Sequence, residues 1–207
     1  MIFEQFSKIG IIPIAVLNDA KDAAPLAEIL CKNGLPCVEI AFRTPASEES
    51  VRVISYNFPD ILIGAGTVLT MEDADRAMNA GAKFIVSPGL NPKVVQHCID
   101  NSVPVIPGVM TPSEMQQAME LGLKVVRFFP AEQAGGLAML KAVSEVFTDL
   151  NFMPAGGFNA KNVRNYLAYD KVIACAGNWM FSNDLITTGK LIKEAAAIVK
   201  EVRGEKK

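Results

Sequence analysis

The chain has 207 residues, half of them hydrophobic, and a formal net charge of -2. That is enough for a large buried core, and 1–207 reads as a single domain; the near-neutral charge excludes nucleic acid or an anionic membrane as an electrostatic partner, so any anion site must be local. No apolar run reaches the length of a membrane span, the start lacks a cleavage site after its apolar stretch, and Cys31, Cys37, Cys98 and Cys175 form no C-x-x-C pair, which together point to a cytoplasmic protein with reduced, mostly buried thiols.

The first residues read as a short helix leading into a strand. Apolar, β-branched runs follow at 11–17, 37–42, 61–68, 84–87, 103–106, 125–129, 152–155 and 172–176, starting about twenty to thirty residues apart. Helical patterns lie between them. The segment 20–33 puts Ala23, Leu26, Ala27, Leu30 and Cys31 on one face. Thr70, Thr111-Pro112-Ser113-Glu114 and Asn159 mark helix starts. Gly34, Gly81 and Gly122 stand just before strands, where a left-handed residue ends a helix. The last helix is expected over 191–202, followed by a charged tail, 204–207, expected to fray.

Near-continuous apolar runs, without in-out alternation, imply strands covered on both faces and hence a parallel sheet. Eight evenly spaced units favour closure over an open doubly wound sheet, and no G-x-G-x-x-G follows the first run. The predicted fold class is therefore α/β, a single (β/α)8 TIM barrel.

Chemistry in such barrels sits at the carboxyl ends of the strands. Those ends carry Glu39, Arg43, Thr67, Pro88, Arg127, Phe129, Gly156-Gly157 and Asn178. Glu39 stands inside an apolar strand, where an ionised carboxylate is costly without a partner. It reads as half of a structural ion pair or as a general acid/base, and the gathering of charge at a barrel mouth favours the second. Arg43 and Arg127 both project from strand ends and could pair with Glu39; residues 125, 127 and 129 share one strand face, and if that face is the inward one Arg127 needs a carboxylate or an anion, which Glu39 is placed to supply. Gly156-Gly157 and Ala176-Gly177-Asn178 end the last two strands, the usual phosphate position of these barrels. His97, the only histidine, lies in a helical segment, which leaves no Ser-His-Asp triad and no histidine metal cluster; neither metal nor cofactor is expected.

The segments VEIAFRTP, IGAGTVLT, FIVSPGL, IPGVMTPSE, RFFPAE and PAGGFNAKNV, in this order, resemble the 2-keto-3-deoxy-6-phosphogluconate (KDPG) / 4-hydroxy-2-oxoglutarate (KHG) aldolase family over nearly the whole chain. The resemblance implies a homotrimeric class I aldolase that cleaves a 2-keto-4-hydroxy acid, or its phosphate, into pyruvate and an aldehyde. It assigns proton shuttling to Glu39, the substrate carboxylate to Arg43 and a contact with the pyruvate unit to Thr67. Pro88, Phe129, Gly156 and Gly157 match further site-lining positions. It also places Arg127 where the family carries its Schiff-base lysine. A guanidinium stays protonated and offers no free lone pair, so the amine route is expected to be impaired.

Lys83, Lys124 and Lys171 fall at the far ends of their strands, while Lys161, past the glycine turn, is placed to touch a phosphate. Ala155 and Asn178 stand at positions usually threonine and serine in the family, the serine a phosphate contact, and Asn18 where some members place an arginine. These departures weaken the implied phosphate recognition. Two further readings stay open: a non-catalytic binder of a 2-oxo acid or sugar-acid phosphate, and an inert trimeric scaffold.

Overall fold

The structure, a computed structural model, describes residues 2–204; the remainder of the tail expected to fray, 205–207, lies outside the described residues. Eight strands alternate with helices: β1 (Ile11–Ala15), β2 (Cys37–Ala41), β3 (Leu62–Gly66), β4 (Ile85–Ser87), β5 (Val105–Val109), β6 (Val125–Phe128), β7 (Asn151–Phe152) and β8 (Cys175–Gly177). The helices are α1 (Ile2–Ile9), α2 (Ala23–Lys32), α3 (Ser47–Asn57), α4 (Met71–Asn79), α5 (Pro92–Asp100), α6 (Pro112–Glu120), α7 (Gly136–Val146), α8 (Val163–Leu167) and α9 (Leu185–Arg203). All strand pairs are parallel, in the order β7-β6-β5-β4-β3-β2-β1-β8. The two ends of that order also meet, through isolated parallel bridges Phe152↔Val172 and Ala155↔Ala176. The result is an α/β architecture in which a curled, eight-stranded parallel sheet is surrounded by helices.

Side-chain parity divides the core in two. Ile12, Cys37, Phe84, Val86, Ile106, Val125, Met153, Ala155, Ala174 and Ala176 form one buried cluster inside the curl. Phe6 of α1 plugs this interior from the amino ends of the strands, its ring edge-on to Phe84 at 4.9 Å between centroids. The other cluster lies between sheet and helices and includes Ile11, Val38, Ile40, Ile63, Val126, Phe128 and the buried faces of α2, α4, α5, α6 and α9. Strands buried on both sides account for the near-continuous apolar runs.

Each of the eight runs holds a strand, but boundaries moved. The fifth strand is Val105–Val109, not 103–106; Pro107 and Gly108 sit inside it, and both residues disguise a strand in a propensity reading. The eighth is Cys175–Gly177, shifted along from 172–176. The 20–33 helix is corrected too. Asp19 accepts from Lys21 N–H and caps a separate turn, Ala20–Asp22, before α2 begins. Cys31 is not on the buried face but exposed; the other three thiols are buried. Asn159 does not start α8. Its side chain caps a preceding turn by accepting from Lys161 and Asn162 N–H, and the helix begins at Val163. Asp184 caps α9, accepting from Thr187 N–H, so that helix starts at Leu185, well before 191. Thr70 and Thr111 are N-caps as expected, the latter in a capping box with Glu114, and Gly34, Gly81 and Gly122 all have positive φ.

Candidate active site

The carboxyl ends of the strands surround a cavity of about 190 Å³. Glu39, Arg43, Thr67, Pro88, Arg127, Phe129, Gly156, Gly157 and Asn178 all line it. Residues drawn from six strand ends are thus brought together in one mouth.

At its floor lies a buried ion pair. Arg127 of β6 and Glu39 of β2 meet although β3, β4 and β5 separate their strands in the sheet, which the curl permits. Arg127 Nη1 donates to Glu39 Oε1 at 3.0 Å and Nη2 to Oε2 at 2.6 Å. Glu39 is 1% exposed and Arg127 5%. Two parallel bonds between a planar fork and a carboxylate offset the heavy cost of removing both charges from water. Arg127 Nη2 also approaches Met153 Sδ at 3.6 Å, while its Nε is the one buried side-chain polar atom without a protein partner among the described residues. Gly66 is a condition of this arrangement: a Cβ there would collide with Glu39 Oε1.

Nearer the rim, Arg43 Nε donates to Thr67 Oγ1 at 3.3 Å. Arg43 does not pair with Glu39, which Arg127 alone occupies. Its loop is tied down at both ends: Ser47 Oγ donates to Ala41 C=O at 2.8 Å, and Thr44 Oγ1 donates to Leu17 C=O across to the end of β1. Thr67 adopts φ 58°, unusual for a β-branched residue and worth about 1–3 kcal/mol of backbone strain. Such strain persists where surrounding structure imposes it, here by holding the Thr67 hydroxyl toward Arg43.

The opposite wall is backbone. Gly156 and Gly157 have φ 101° and 81°, and Ala155, Phe158, Gly177 and Asn178 complete it. Gly177, read as part of the strand-end anion position, lines the cavity as well, while Ile14, Val16 and Phe158 also line it but escaped the sequence reading. Ile14 shares its strand face with the inward Ile12, a signal that was available; Phe158 carried none beyond its place after the glycine turn. Among the described residues, no lysine lines this cavity. Lys83 lines a cavity at the opposite end of the sheet, and Lys171 Nζ donates to Thr148 C=O. His97 lies on the surface, its Nε2 2.7 Å from Asp75 Oδ1. Among the described residues, no three or more His, Cys, Asp or Glu side chains gather as a metal site, and no helix is long and apolar enough to cross a membrane.

Fold and site together define a class: a helix-covered parallel sheet whose strand ends hold guanidinium, carboxylate, hydroxyl and bare backbone around a small cavity suited to an organic anion. The profile described as KDPG and KHG aldolase matches residues 2–197, and the chain belongs to that family of carbon–carbon lyases. It is 44% identical to the 2-dehydro-3-deoxy-phosphogluconate aldolase of Treponema pallidum over 188 residues, 91% of this chain and 90% of that protein. Among solved structures it superposes on the KDPG aldolase of Zymomonas mobilis ZM4 with 3-phosphoglycerate at TM-score 0.90, with 33% identity and 95% of each chain covered. It also superposes on the KDPG aldolase of Legionella pneumophila, with pyruvate captured as a covalent carbinolamine, at TM-score 0.85, 35% identity and 95% of each chain covered.

Proposed function

We propose that this chain is a single-domain, closed (β/α)8 barrel whose mouth binds a 2-keto-4-hydroxy acid or its phosphate, the substrate of cleavage to pyruvate and an aldehyde. Arg43 and Thr67 hold the carboxylate of the 2-oxo acid, Pro88 and Phe129 flank the pyruvate unit, and the Gly156-Gly157 turn with Asn178 receives the far end. Arg127 stands at the nucleophile position and cannot attack a ketone. Retro-aldol cleavage through a Schiff base is therefore strongly impaired here. The observation that carries this reading is the pairing of Arg127 with both oxygens of Glu39. It sets a guanidinium, which has no free lone pair, where the resemblance places an amine, and engages both oxygens of the proton carrier.

The same observation favours a second reading, a non-catalytic 2-oxo-acid binder. Incubation with pyruvate and borohydride, followed by mass measurement of the intact protein, tests the Schiff-base step of the first reading, and pyruvate affinity tests the binding that both readings share. No adduct is expected, alongside measurable pyruvate affinity. A reduced adduct would show that another lysine serves as nucleophile, and failure to bind pyruvate would remove the substrate assignment itself.

The family resemblance further supports a cytoplasmic homotrimer. Exposed Leu69, Met71 and Met110 near the strand-end rim offer apolar contact surface. Sedimentation at monomer mass at micromolar concentration would sink that assignment.

A further inference from the structure

We propose that Glu132, Asn162 and Tyr166 are positioning residues for the Gly156-Gly157 turn and so set the preference of the site for phosphorylated over unphosphorylated ligands. The inference rests on reading that turn as the seat of the ligand's far end. None of the three residues lines the cavity.

Consecutive glycines with positive φ have many alternative conformations, so the direction of their N–H groups needs an external cause. The structure supplies one on the side away from the cavity. Glu132 N–H donates to Gly156 C=O at 3.2 Å. Asn162 Nδ2 donates to Gly157 C=O at 3.0 Å. In a trans peptide the C=O and the following N–H point in opposite directions. Holding the Gly156 carbonyl therefore directs the Gly157 N–H, and holding the Gly157 carbonyl directs the Phe158 N–H, toward the side where the cavity lies.

The clamp is itself braced. Asn162 Nδ2 also donates to Glu132 Oε2 at 3.0 Å, and Asn162 Oδ1 accepts from Asn159 N–H at 2.9 Å. The other Glu132 oxygen, Oε1, accepts from the Tyr166 hydroxyl. Tyr166 is 2% exposed, and burial together with the neighbouring carboxylate pushes its phenol above the ordinary value, so it stays a donor. Its ring meets Phe158 edge-on at 4.8 Å between centroids, bracing the residue that follows the turn. A Cβ on Gly157 would stand 2.6 Å from Glu132 Cβ, so the glutamate packs directly against the turn as well as bonding around it.

Calorimetric titration of the intact protein with 3-phosphoglycerate, glycerate and pyruvate tests this, since the first two differ only by the phosphate. The unsubstituted protein is expected to prefer 3-phosphoglycerate over glycerate by about tenfold or more. Glu132→Gln and Tyr166→Phe are expected to lose roughly tenfold in 3-phosphoglycerate affinity, the weight of one charge-assisted hydrogen bond, with glycerate and pyruvate changed less than about twofold. Asn162→Ala, at a half-buried position, carries the same expectation should Tyr166→Phe not fold. If all three ligands weaken together, the network is only structural and the inference falls. If the variants keep the full preference, the inference falls while the phosphate seat stands. If the unsubstituted protein shows no preference, the phosphate seat falls and this inference with it.

Discussion

Two arginines are drawn into this protein, one at each end of the sheet, and they are satisfied in opposite ways. Arg203, at the end of α9, reaches the base of the sheet and meets only carbonyls: Nε bonds Leu167, Nη1 bonds Ser7 and Ile173, and Nη2 bonds Val172, at 2.7 to 3.1 Å. Among the described residues no carboxylate pairs with it, and burial pushes its guanidinium below the ordinary value. All its nitrogens are nonetheless used, which ties the last helix to α1 and to the approach to β8. Arg127, at the mouth, has its charge matched by Glu39 while its Nε has no partner among the described residues. The base arginine is saturated with bonds and serves as an anchor. The mouth arginine is balanced in charge but not in bonds, the arrangement expected where a site has been adapted and not merely braced.

The largest effect should come from the mouth. Arg127→Lys restores an amine and frees Glu39 from a bidentate partner, so pyruvate release from KDPG or 4-hydroxy-2-oxoglutarate should rise on the order of 10³-fold or more, since nucleophiles contribute at least that much. A coupled pyruvate assay reads this directly. If the Lys variant is no faster on either substrate, Ala155 and Asn178 become the next positions to change. Arg127→Met should instead cost about 3–5 kcal/mol of stability by urea titration, because it orphans a buried carboxylate, and adding Glu39→Met should recover most of the loss. No recovery would mean that the two residues are not energetically coupled.

At the base, Arg203→Met should cost about 2–4 kcal/mol through bonds lost to backbone carbonyls, with pyruvate affinity unaltered. A change in pyruvate affinity would show that the two ends are not independent. The smallest effect concerns the rim. Burial raises the Glu114 carboxyl, but bonds from Met110 N–H, Thr111 N–H and the Thr111 hydroxyl outweigh it and hold it below the ordinary 4.5. A depressed carboxyl contributes stability above its unfolded value and loses it as pH falls through the folded one. Glu114→Gln should therefore cost about 1 kcal/mol or less at neutral pH, screened by solvent, and nothing once pH drops below that window. An equal loss at all pH values would mean that the glutamine loses packing and not charge.

How much of this was legible beforehand differs by type of information. The eight strands were readable because burial on both faces leaves an apolar run that no polar alternation interrupts. Thr111-Pro112-Ser113-Glu114 marked a helix start, because a cap is a contact between residues only a few positions apart. The Glu39–Arg127 pair was inferable because both charges sit in apolar strands on inward parity, and an inward charge demands a partner. Phe158, and the Glu132–Tyr166 bond behind the glycine turn, were not inferable from the local pattern. Their roles depend on contacts between elements whose spacing in sequence says nothing of distance.

Sequence alone therefore determined the eight strand-forming runs, most of the residues at the mouth and the family, since these follow from periodicity and local motif. Tertiary structure decided the rest. Only a curled sheet brings β2 against β6, and only packing sets Arg43 against Thr67, a contact that no local pattern indicated. The direction of the Gly156-Gly157 turn was likewise left open by the residues themselves, because glycine accepts every conformation and the neighbours choose among them.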